Sequence, residues 1–253
     1  MWKKKARTSM QKTVYRHLHS LVQQGLDLLF PPHCAGCRRA GHLLCPACWH
    51  TMQPLTVPLC RRCGMPLASG GEGCAVCRRD AFQFDGLRCV NLYRDALRRT
   101  IHAFKYQGQT RLAEPLGLLL AEAFTRYNLR AHALVPLPLH PERQRQRGYN
   151  QATLLARVCA AHLKVPCLEN LVIRRLPTRA QAGLNAQERI QNVAGAFALA
   201  PHQSPHTLAG CTILLIDDVC TTGATLNACA APLYACGIRE VWGLVLGRPD
   251  TLI

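Results

Sequence analysis

The sequence is poor in acidic residues: it has 14 aspartates and glutamates against 31 lysines and arginines in 253 residues, which gives a formal net charge of +17. A charge this large implies attraction to polyanions, a class that includes nucleic acids, nucleotide phosphates and anionic membrane surfaces. The charge does not choose among these ligands, because much of it could be general surface charge.

Long apolar runs are also absent. No segment approaches the ~20 consecutive apolar residues that a helix needs to cross a bilayer, so we expect no transmembrane segment. The basic stretch 1–13 is not followed by an apolar segment with a small-residue cleavage site, and we expect no secretory signal. Hydrophobic residues still make up 49% of the chain, which is enough for a sizeable core.

Cysteine, in contrast, is abundant. Eight of the fifteen cysteines form four Cys-x-x-Cys pairs, and the other seven are scattered through apolar segments. This pattern favours metal binding in a reducing compartment over disulfides, and we therefore expect a cytoplasmic protein. Two pairs supply the four thiolates of a tetrahedral zinc ion, which predicts two structural zinc ions without an open coordination position. The paired cysteines are Cys34, Cys37, Cys45, Cys48, Cys60, Cys63, Cys74 and Cys77.

Sequential pairing, first with second and third with fourth, closes loops of 7 and 10 residues and makes a double zinc ribbon over residues 31–80. Cross-brace pairing is the less favoured alternative. Gly36 and Gly64 are placed where a knuckle turn favours a residue that tolerates positive φ. The arginines between the pairs are either a nucleic-acid-facing patch or solubilising charge beside anionic tetrathiolate centres; they are Arg38, Arg39, Arg61, Arg62, Arg78 and Arg79.

Residues 1–30 are predicted to be a basic tail and an amphipathic helix, which Pro31 and Pro32 end. From residue 85 to 253 strand and helix patterns alternate, which predicts an α/β domain with a parallel sheet. Strands are predicted at 85–93, 133–138, 171–175, 213–217 and 240–246, and helices up to Tyr106 and at 110–127, 151–163 and 186–194.

The most informative stretch is 213–225. Its apolar start predicts a strand buried on both faces, and Asp217 and Asp218 follow at the end of that strand. Small, hydroxylic and glycine residues then lead into a helix, which places backbone N–H groups and a helix N-terminus at the sheet edge as a cradle for phosphate. The two acids could take the hydroxyls of a ribose or the cation that accompanies the phosphates. The alternative is a buried strand whose exposed end happens to be Asp-Asp.

Two further segments are suited to an anionic ligand. Arg143, Arg145 and Arg147, with Asn150 as the N-cap of helix 151–163, make a cationic loop that suits a diphosphate; a charged surface turn is the alternative. The polar stretch 176–184 could close over a ligand and exclude water.

Two single residues leave alternatives open. Lys105 could point at a ligand, although a lone lysine is more often solvated. Cys220 lies near a helix N-terminus, where the pKa of a thiol can fall, but an inert small residue is the favoured interpretation.

These motifs, in this order, resemble the ComF family, which includes GntX-like proteins. Within it, 213–225 resembles the phosphoribosyl-pyrophosphate (PRPP) signature of type I phosphoribosyltransferases. The resemblance covers about residues 21 to 247 and rests also on the segments 29–34, 104–106, 147–151, 178–184 and 188–192. It implies a type I phosphoribosyltransferase fold preceded by a double zinc ribbon. It also implies a cytoplasmic role, which could include the inner face of the inner membrane, in natural competence or in the use of DNA as a nutrient.

The resemblance also implies roles for individual residues. Asp217 and Asp218, the candidate catalytic residues, would hold the ribose hydroxyls of PRPP with the help of Mg²⁺. The 5′-phosphate would bind to Val219, Cys220, Thr221, Thr222, Gly223, Ala224 and Thr225. The diphosphate would face Arg143, Arg145 and Arg147, and a closing loop would carry Arg174, Arg175, Arg179 and Arg189. No side chain stands out as a general base, and nothing marks a purine or a pyrimidine pocket.

Three functions follow as hypotheses. The first is a PRPP-binding protein of DNA uptake or utilisation that handles single-stranded DNA, with a competence helicase or the inner-membrane DNA-uptake machinery as a partner. The second is a metabolic phosphoribosyltransferase of nucleotide salvage. The third is a non-catalytic DNA-binding scaffold that bridges DNA and a helicase or the membrane machinery.

Overall fold

The computed structural model describes residues 31–67, 73–79, 82–176, 186–193, 195–201 and 208–249. The tail and helix predicted at 1–30 lie outside the described residues, as does 177–184 of the predicted closing stretch. Among the described helices none is both long and apolar enough to cross a membrane.

A four-stranded parallel sheet forms the centre of the fold, with the strand order β1-β6-β5-β2. A separate antiparallel pair, β3 with β4, lies beside it. The strands are β1 (Gly86–Leu92), β2 (Ala133–Pro136), β3 (Val172–Arg174), β4 (Phe197–Leu199), β5 (Thr212–Val219) and β6 (Glu240–Arg248). The helices are α1 (Pro46–Thr51), α2 (Ala75–Arg79), α3 (Asp95–Tyr106), α4 (Ala113–Arg126), α5 (Pro141–Arg147), α6 (Gln151–Leu163), α7 (Ala186–Val193) and α8 (Ala224–Ala235).

Strand β5 is buried on both faces, as its apolar sequence predicts. Ile213 and Leu215 face the layer that contains α8, whereas Leu214 and Ile216 face the layer of α3, α4 and α6. All four side chains are fully buried. The predicted α/β class with a parallel sheet is therefore confirmed, with helices on both faces of the sheet.

The cysteine-rich segment packs against both of these layers. Cys34, Cys45 and Cys48 belong to the core of the α3 layer, whereas Cys60 and Cys63 belong to the core of the α8 layer. The two halves of the ribbon therefore pack against opposite faces of the same sheet.

The interpretation of 139–150 as a loop was wrong, because residues 141–147 form helix α5. His140 caps the helix by accepting a hydrogen bond from the amide of Glu142, and Pro141 occupies its first turn. Gly148, at a φ of 81°, ends the helix in the left-handed conformation. Strand β4 was not predicted from the sequence, since three residues are too few to show a period.

Helix α4 packs its apolar face into the core of the sheet, and a pair of leucines tests how much this layer contributes to stability. Leu116 on α4 is fully buried, whereas the side chain of Leu176 is 49% exposed. We expect Leu116→Ala to lower the free energy of unfolding by about 2–5 kcal/mol, because it leaves a cavity. Leu176→Ala should change it by no more than about 0.5 kcal/mol. Urea denaturation followed by circular dichroism measures both values, and equal losses would contradict the layer assignment.

Candidate functional site

A cleft of about 680 Å³ opens at the carboxyl ends of β2 and β5. These strands are neighbours in the sheet, and α6, which comes after β2 and α5, lies on the opposite face from α8, which follows β5. A crevice is expected where neighbouring strands send their connections to opposite sides. The cleft lies at that point, and its walls come from the end of α3, the segment 137–151, Arg174 and residues 217–225.

Residues 219–225, called the phosphate loop below, connect β5 to α8. The loop is anchored to the sheet because the Cys220 amide donates to the Gly247 carbonyl at 3.1 Å. Gly223, at a φ of 80°, precedes the first turn of α8, and the Ala224 amide donates to Thr222 Oγ1 at 3.4 Å. The loop and Leu226 enclose a recess of about 50 Å³, and Thr221 and Thr225 also line the main cleft. A helix N-terminus, hydroxyl groups and a glycine turn are the components of an anion site.

The two acids at the end of β5 have different surroundings. Asp218 is 5% exposed, and its Oδ1 lies 2.7 Å from Lys105 Nζ. Asp217 lines the cleft and accepts a hydrogen bond from the Asp218 amide at 2.8 Å. Burial, followed by the charge of Asp218, raises the pKa of Asp217 to about 7. Both acids line the cleft, and Asp217 is the more exposed of the two.

Lys105 lines the cleft, although sequence reasoning favoured a solvated lysine at this position. Its ammonium is buried, which opposes the charge, yet the Asp218 carboxylate outweighs burial and raises the pKa of Lys105. The sequence did contain a signal, since Lys105 follows the buried Ile101 by one helical turn and so continues the inner face of α3.

The three arginines of α5 do not share one side of the helix, because residues two apart point to nearly opposite sides. Arg143 and Arg147 are one turn apart, and both line the cleft. Arg145 is exposed and is not part of the cleft wall. The guanidinium of Arg147 lies over the Tyr106 ring, 5.1 Å from its centroid.

Of the arginines expected on a closing loop, the structure brings one to the cleft. Arg174 lines it, and burial followed by the charge of Arg143 lowers the pKa of Arg174. Arg175 is exposed, and its backbone amide donates to the Ala196 carbonyl. Arg179 and the side chain of Arg189 lie outside the described residues.

The segment after α5 is held by its own polar side chains. Asn150 caps α6 as predicted: its Oδ1 accepts from the Ala152 amide at 3.0 Å, and its Nδ2 donates to the Leu137 carbonyl. The Tyr149 hydroxyl donates to the Phe104 carbonyl at the end of α3. These bonds tie the arginine-bearing wall of the cleft to α3 and to the end of β2.

Cys220 is 5% exposed, and burial raises the pKa of its thiol to about 12. The lowered pKa that a helix N-terminus could produce is therefore overcome by desolvation. The interpretation of Cys220 as an inert small residue is the one that its surroundings favour.

The eight paired cysteines form two groups in the sequential arrangement. Within each group the sulfur atoms lie within 4.8 Å of one another. The Cys45 amide donates to Cys34 Sγ at 3.3 Å, and the Cys74 amide donates to Cys60 Sγ at 3.4 Å. Such donors stabilise thiolates, and four clustered thiolates fit a closed, tetrahedral structural zinc site. The first cysteine group is Cys34, Cys37, Cys45 and Cys48, and the second is Cys60, Cys63, Cys74 and Cys77.

The two knuckle glycines have different roles. Gly64 has a φ of 67°, as expected, but in the first knuckle the residue with positive φ is Arg38. Gly36 is instead required for space, because a Cβ there would lie 2.7 Å from Cys48 Sγ.

A second cleft, of about 570 Å³, lies beside the first cysteine group. Arg38 lines it together with three exposed residues of α3, which are Arg98, Arg99 and His102. Among the arginines between the cysteine pairs, Arg62 has a structural role, since it donates to the carbonyls of Phe82 and Asp85.

Comparison with solved structures finds distant similarity. The glutamine PRPP amidotransferase of Bacillus subtilis, complexed with ADP and GMP, matches with 17% identity and a TM-score of 0.35 over 53% of this chain and 26% of that chain. The purine phosphoribosyltransferase of Pyrococcus horikoshii matches with 13% identity and a TM-score of 0.34 over 58% of this chain and 86% of that chain.

Comparison of sequences finds closer relatives. The family model described as a double zinc ribbon domain matches residues 25–79. Competence protein F of Haemophilus influenzae is 35% identical over 222 residues, which is 83% of this chain and 95% of that protein. Competence protein ComFC of Bacillus subtilis is 30% identical over 77% of this chain and 79% of that protein. DNA utilization protein YhgH of Salmonella typhimurium is 29% identical over 86% of this chain and 98% of that protein. The chain therefore belongs to the ComF family, the family of Competence protein F and ComFC.

Proposed function

We propose that the protein is a PRPP-binding, phosphoribosyltransferase-like protein that acts in DNA uptake or utilisation and handles single-stranded DNA in the cytoplasm. Residues 31–80 would supply the zinc ribbon and residues 85–253 the PRPP site. The observation that carries the proposal is the cleft, where the phosphate loop and Asp217 face Arg143, Arg147 and Arg174. The names of the relatives, which refer to competence and DNA utilisation, support the cellular role.

We assign each part of PRPP to residues that line the cleft. The phosphate loop at the start of α8 suits the 5′-phosphate. Asp217 suits the ribose hydroxyls, because a half-buried carboxylate accepts hydrogen bonds from them. Arg143 and Arg147 suit the diphosphate, since guanidinium groups match phosphate oxygens in pairs. Four cations against two acids leave the cleft with excess positive charge for a polyanion.

The chemistry that such a site could support is displacement of diphosphate from C1 of the ribose. The arginines would stabilise the leaving diphosphate, and the carboxylates would stabilise the positive charge that develops on the sugar. The oxygen donors of Asp217 also fit Mg²⁺ carried by the ligand, which when bound would neutralise the diphosphate. We therefore propose PRPP binding and no named transfer reaction.

Arginine substitutions on α5 test PRPP binding with a matched control. We expect Arg143→Ala and Arg147→Ala each to raise the Kd for PRPP with Mg²⁺ about tenfold, because each removes a charged partner of the diphosphate. Arg145→Ala removes the same charge from the same helix, away from the cleft, and should change the Kd less than about twofold. Isothermal titration calorimetry measures all three values.

Equal losses for the three variants would show that net charge, not the cleft, attracts the ligand. The metabolic alternative requires a second assay, in which release of pyrophosphate is followed with a panel of nucleobases. Release with one base would favour a salvage enzyme, and PRPP binding without release would favour a binding protein.

One face of α3 suits a single strand of nucleic acid. Arg98, His102 and Tyr106 follow one another at intervals of one helical turn, and all three are exposed. Tyr106 is 65% exposed, and its ring lies 4.9 Å from the ring of His102. Exposed rings that can stack on bases, interleaved with cations that face phosphates, are typical of single-strand binding surfaces. These three residues, called the α3 stripe below, run from the second cleft, beside the first cysteine group, to the main cleft.

The double variant Arg98→Ala/Tyr106→Ala tests the stripe. We expect it to weaken binding of a single-stranded oligonucleotide about tenfold at ~0.1 M salt, because a stacked ring contributes about 1–3 kcal/mol. The slope of log K against log salt should become shallower by about 0.7 for the phosphate contact that Arg98 loses. Fluorescence anisotropy measures both quantities.

The control is Arg130→Ala. This variant removes an exposed arginine just before the amino-terminal end of β2, whereas the cleft lies at the carboxyl end of that strand. It should leave the affinity for the oligonucleotide within about twofold of the wild-type value. If Arg130→Ala weakens binding as much as the double variant, the affinity comes from general charge and the stripe is not the binding surface.

A further inference from the structure

Arg248, the last residue of β6, is a buried charge beside the phosphate loop. Its side chain is 1% exposed. The preceding residue, Gly247, accepts the hydrogen bond from Cys220 that anchors the loop to the sheet. The parallel pairing of β5 with β6 therefore fixes Arg248 close to the base of the loop.

The contacts of this guanidinium lead to the cysteine-rich segment. Arg248 Nη1 donates to the Cys63 carbonyl at 2.9 Å, and the guanidinium lies over the Phe82 ring, 5.3 Å from its centroid. Among the residues that the structure describes, Arg248 Nε has no hydrogen-bond partner and no carboxylate forms an ion pair with the side chain. A buried charge without a counter-ion is costly, so this position requires an anion nearby.

The second cysteine group supplies that anion when it holds zinc. Four thiolates outweigh one divalent cation, so a tetrathiolate zinc centre is formally a dianion. Cys63 is a member of the group, and its own carbonyl is the group that Arg248 binds. Zinc in the second group would therefore place a net negative charge beside Arg248, and loss of zinc would remove that tetrathiolate centre from the side of the guanidinium.

Phe82 connects the same guanidinium to the phosphate loop. A Cβ placed on Gly223 would lie 2.5 Å from the Phe82 ring, so the ring packs directly against the glycine turn of the loop. Arg62, from the second knuckle, donates to the Phe82 carbonyl at 2.5 Å and holds the backbone of that residue. One chain of contacts thus runs from the second cysteine group through Arg248 and Phe82 to Gly223.

We propose that Arg248 and Phe82 are positioning residues that couple the second zinc centre to the phosphate loop, so that zinc in the second group and a phosphate on the loop stabilise each other. The inference rests on the proposed function only in requiring that the loop binds a phosphate. Coupling of this kind is reciprocal: if zinc strengthens phosphate binding, phosphate must strengthen the retention of zinc by the same factor.

The first cysteine group provides a matched control. Arg99 of α3 donates to the Gly36 carbonyl in the first knuckle, much as Arg248 donates to the Cys63 carbonyl beside the second. Arg99 lines the second cleft and not the phosphate loop. Removal of Arg99 should therefore affect the first group without changing phosphate binding.

The test measures the release of zinc from the full chain to a chelating dye, with and without ribose 5-phosphate, a probe that needs no Mg²⁺. A Cys37→Ser variant, which weakens the first group alone, assigns the phases of release. We expect saturating ribose 5-phosphate to slow release from the second group about tenfold and to leave release from the first group unchanged. Arg99→Met should keep this effect, whereas Arg248→Met and Phe82→Leu should each lose most of it. Phe82→Leu keeps the inference testable if Arg248→Met does not fold.

Calorimetry with ribose 5-phosphate separates the two ways in which the account could fail. If the wild type binds the probe but zinc release from the second group is unchanged, the coupling is wrong and the phosphate site stands. Persistence of the coupling in both Arg248→Met and Phe82→Leu overturns the role of these residues. If the wild type binds no ribose 5-phosphate, both the phosphate site and the inference fail.

Discussion

The buried ion pair between Lys105 and Asp218 is the interaction on which the arrangement of the cleft depends. An apolar central strand that ends in two acids would leave both carboxylates partly buried without a cation. Lys105 supplies that cation to Asp218, since its Nζ lies 2.7 Å from Asp218 Oδ1. The ion pair thereby fixes the end of α3 to the end of β5. Asp217 is left to face the cleft, and Tyr106, next along α3, is placed at the cleft rim under Arg147. The proposed ribose site and the proposed single-strand stripe therefore share one anchor, because both are attached to the same turn of α3.

The double zinc ribbon contributes to the core of the sheet and not merely to the surface. Its two cysteine groups lie on opposite faces, one with α3 and α4 and the other with α8. The second knuckle approaches strand β1 closely at Gly64, since a Cβ there would lie 2.7 Å from the Leu87 carbonyl oxygen. A structural metal placed in this way stabilises the neighbouring helices and loops through direct packing. The coupling that we propose between the second cysteine group and the phosphate loop would act through this packing and through Arg248.

Much of this architecture could be predicted from the sequence, and the failures have physical reasons. The apolar run before Asp217 predicted the central strand, and the Cys-x-x-Cys spacing predicted the sequential groups, because both are local patterns with strict geometry. Helix α5 was missed because its charged sequence shows no apolar period, and its signals are only Pro141 at the start and Gly148 at the end. The separation of Arg145 from Arg143 and Arg147 follows from that helix. The partnerships of Lys105 with Asp218 and of Arg248 with Cys63 join residues far apart in the chain, which no local pattern reveals.

The most direct test of the central claim is a crystal structure of the protein with PRPP and Mg²⁺. The account predicts density for the 5′-phosphate on residues 219–225, the ribose hydroxyls at Asp217 and the diphosphate against Arg143 and Arg147, with Lys105 still paired to Asp218. A ligand bound elsewhere, or an empty cleft at saturating PRPP, would contradict it.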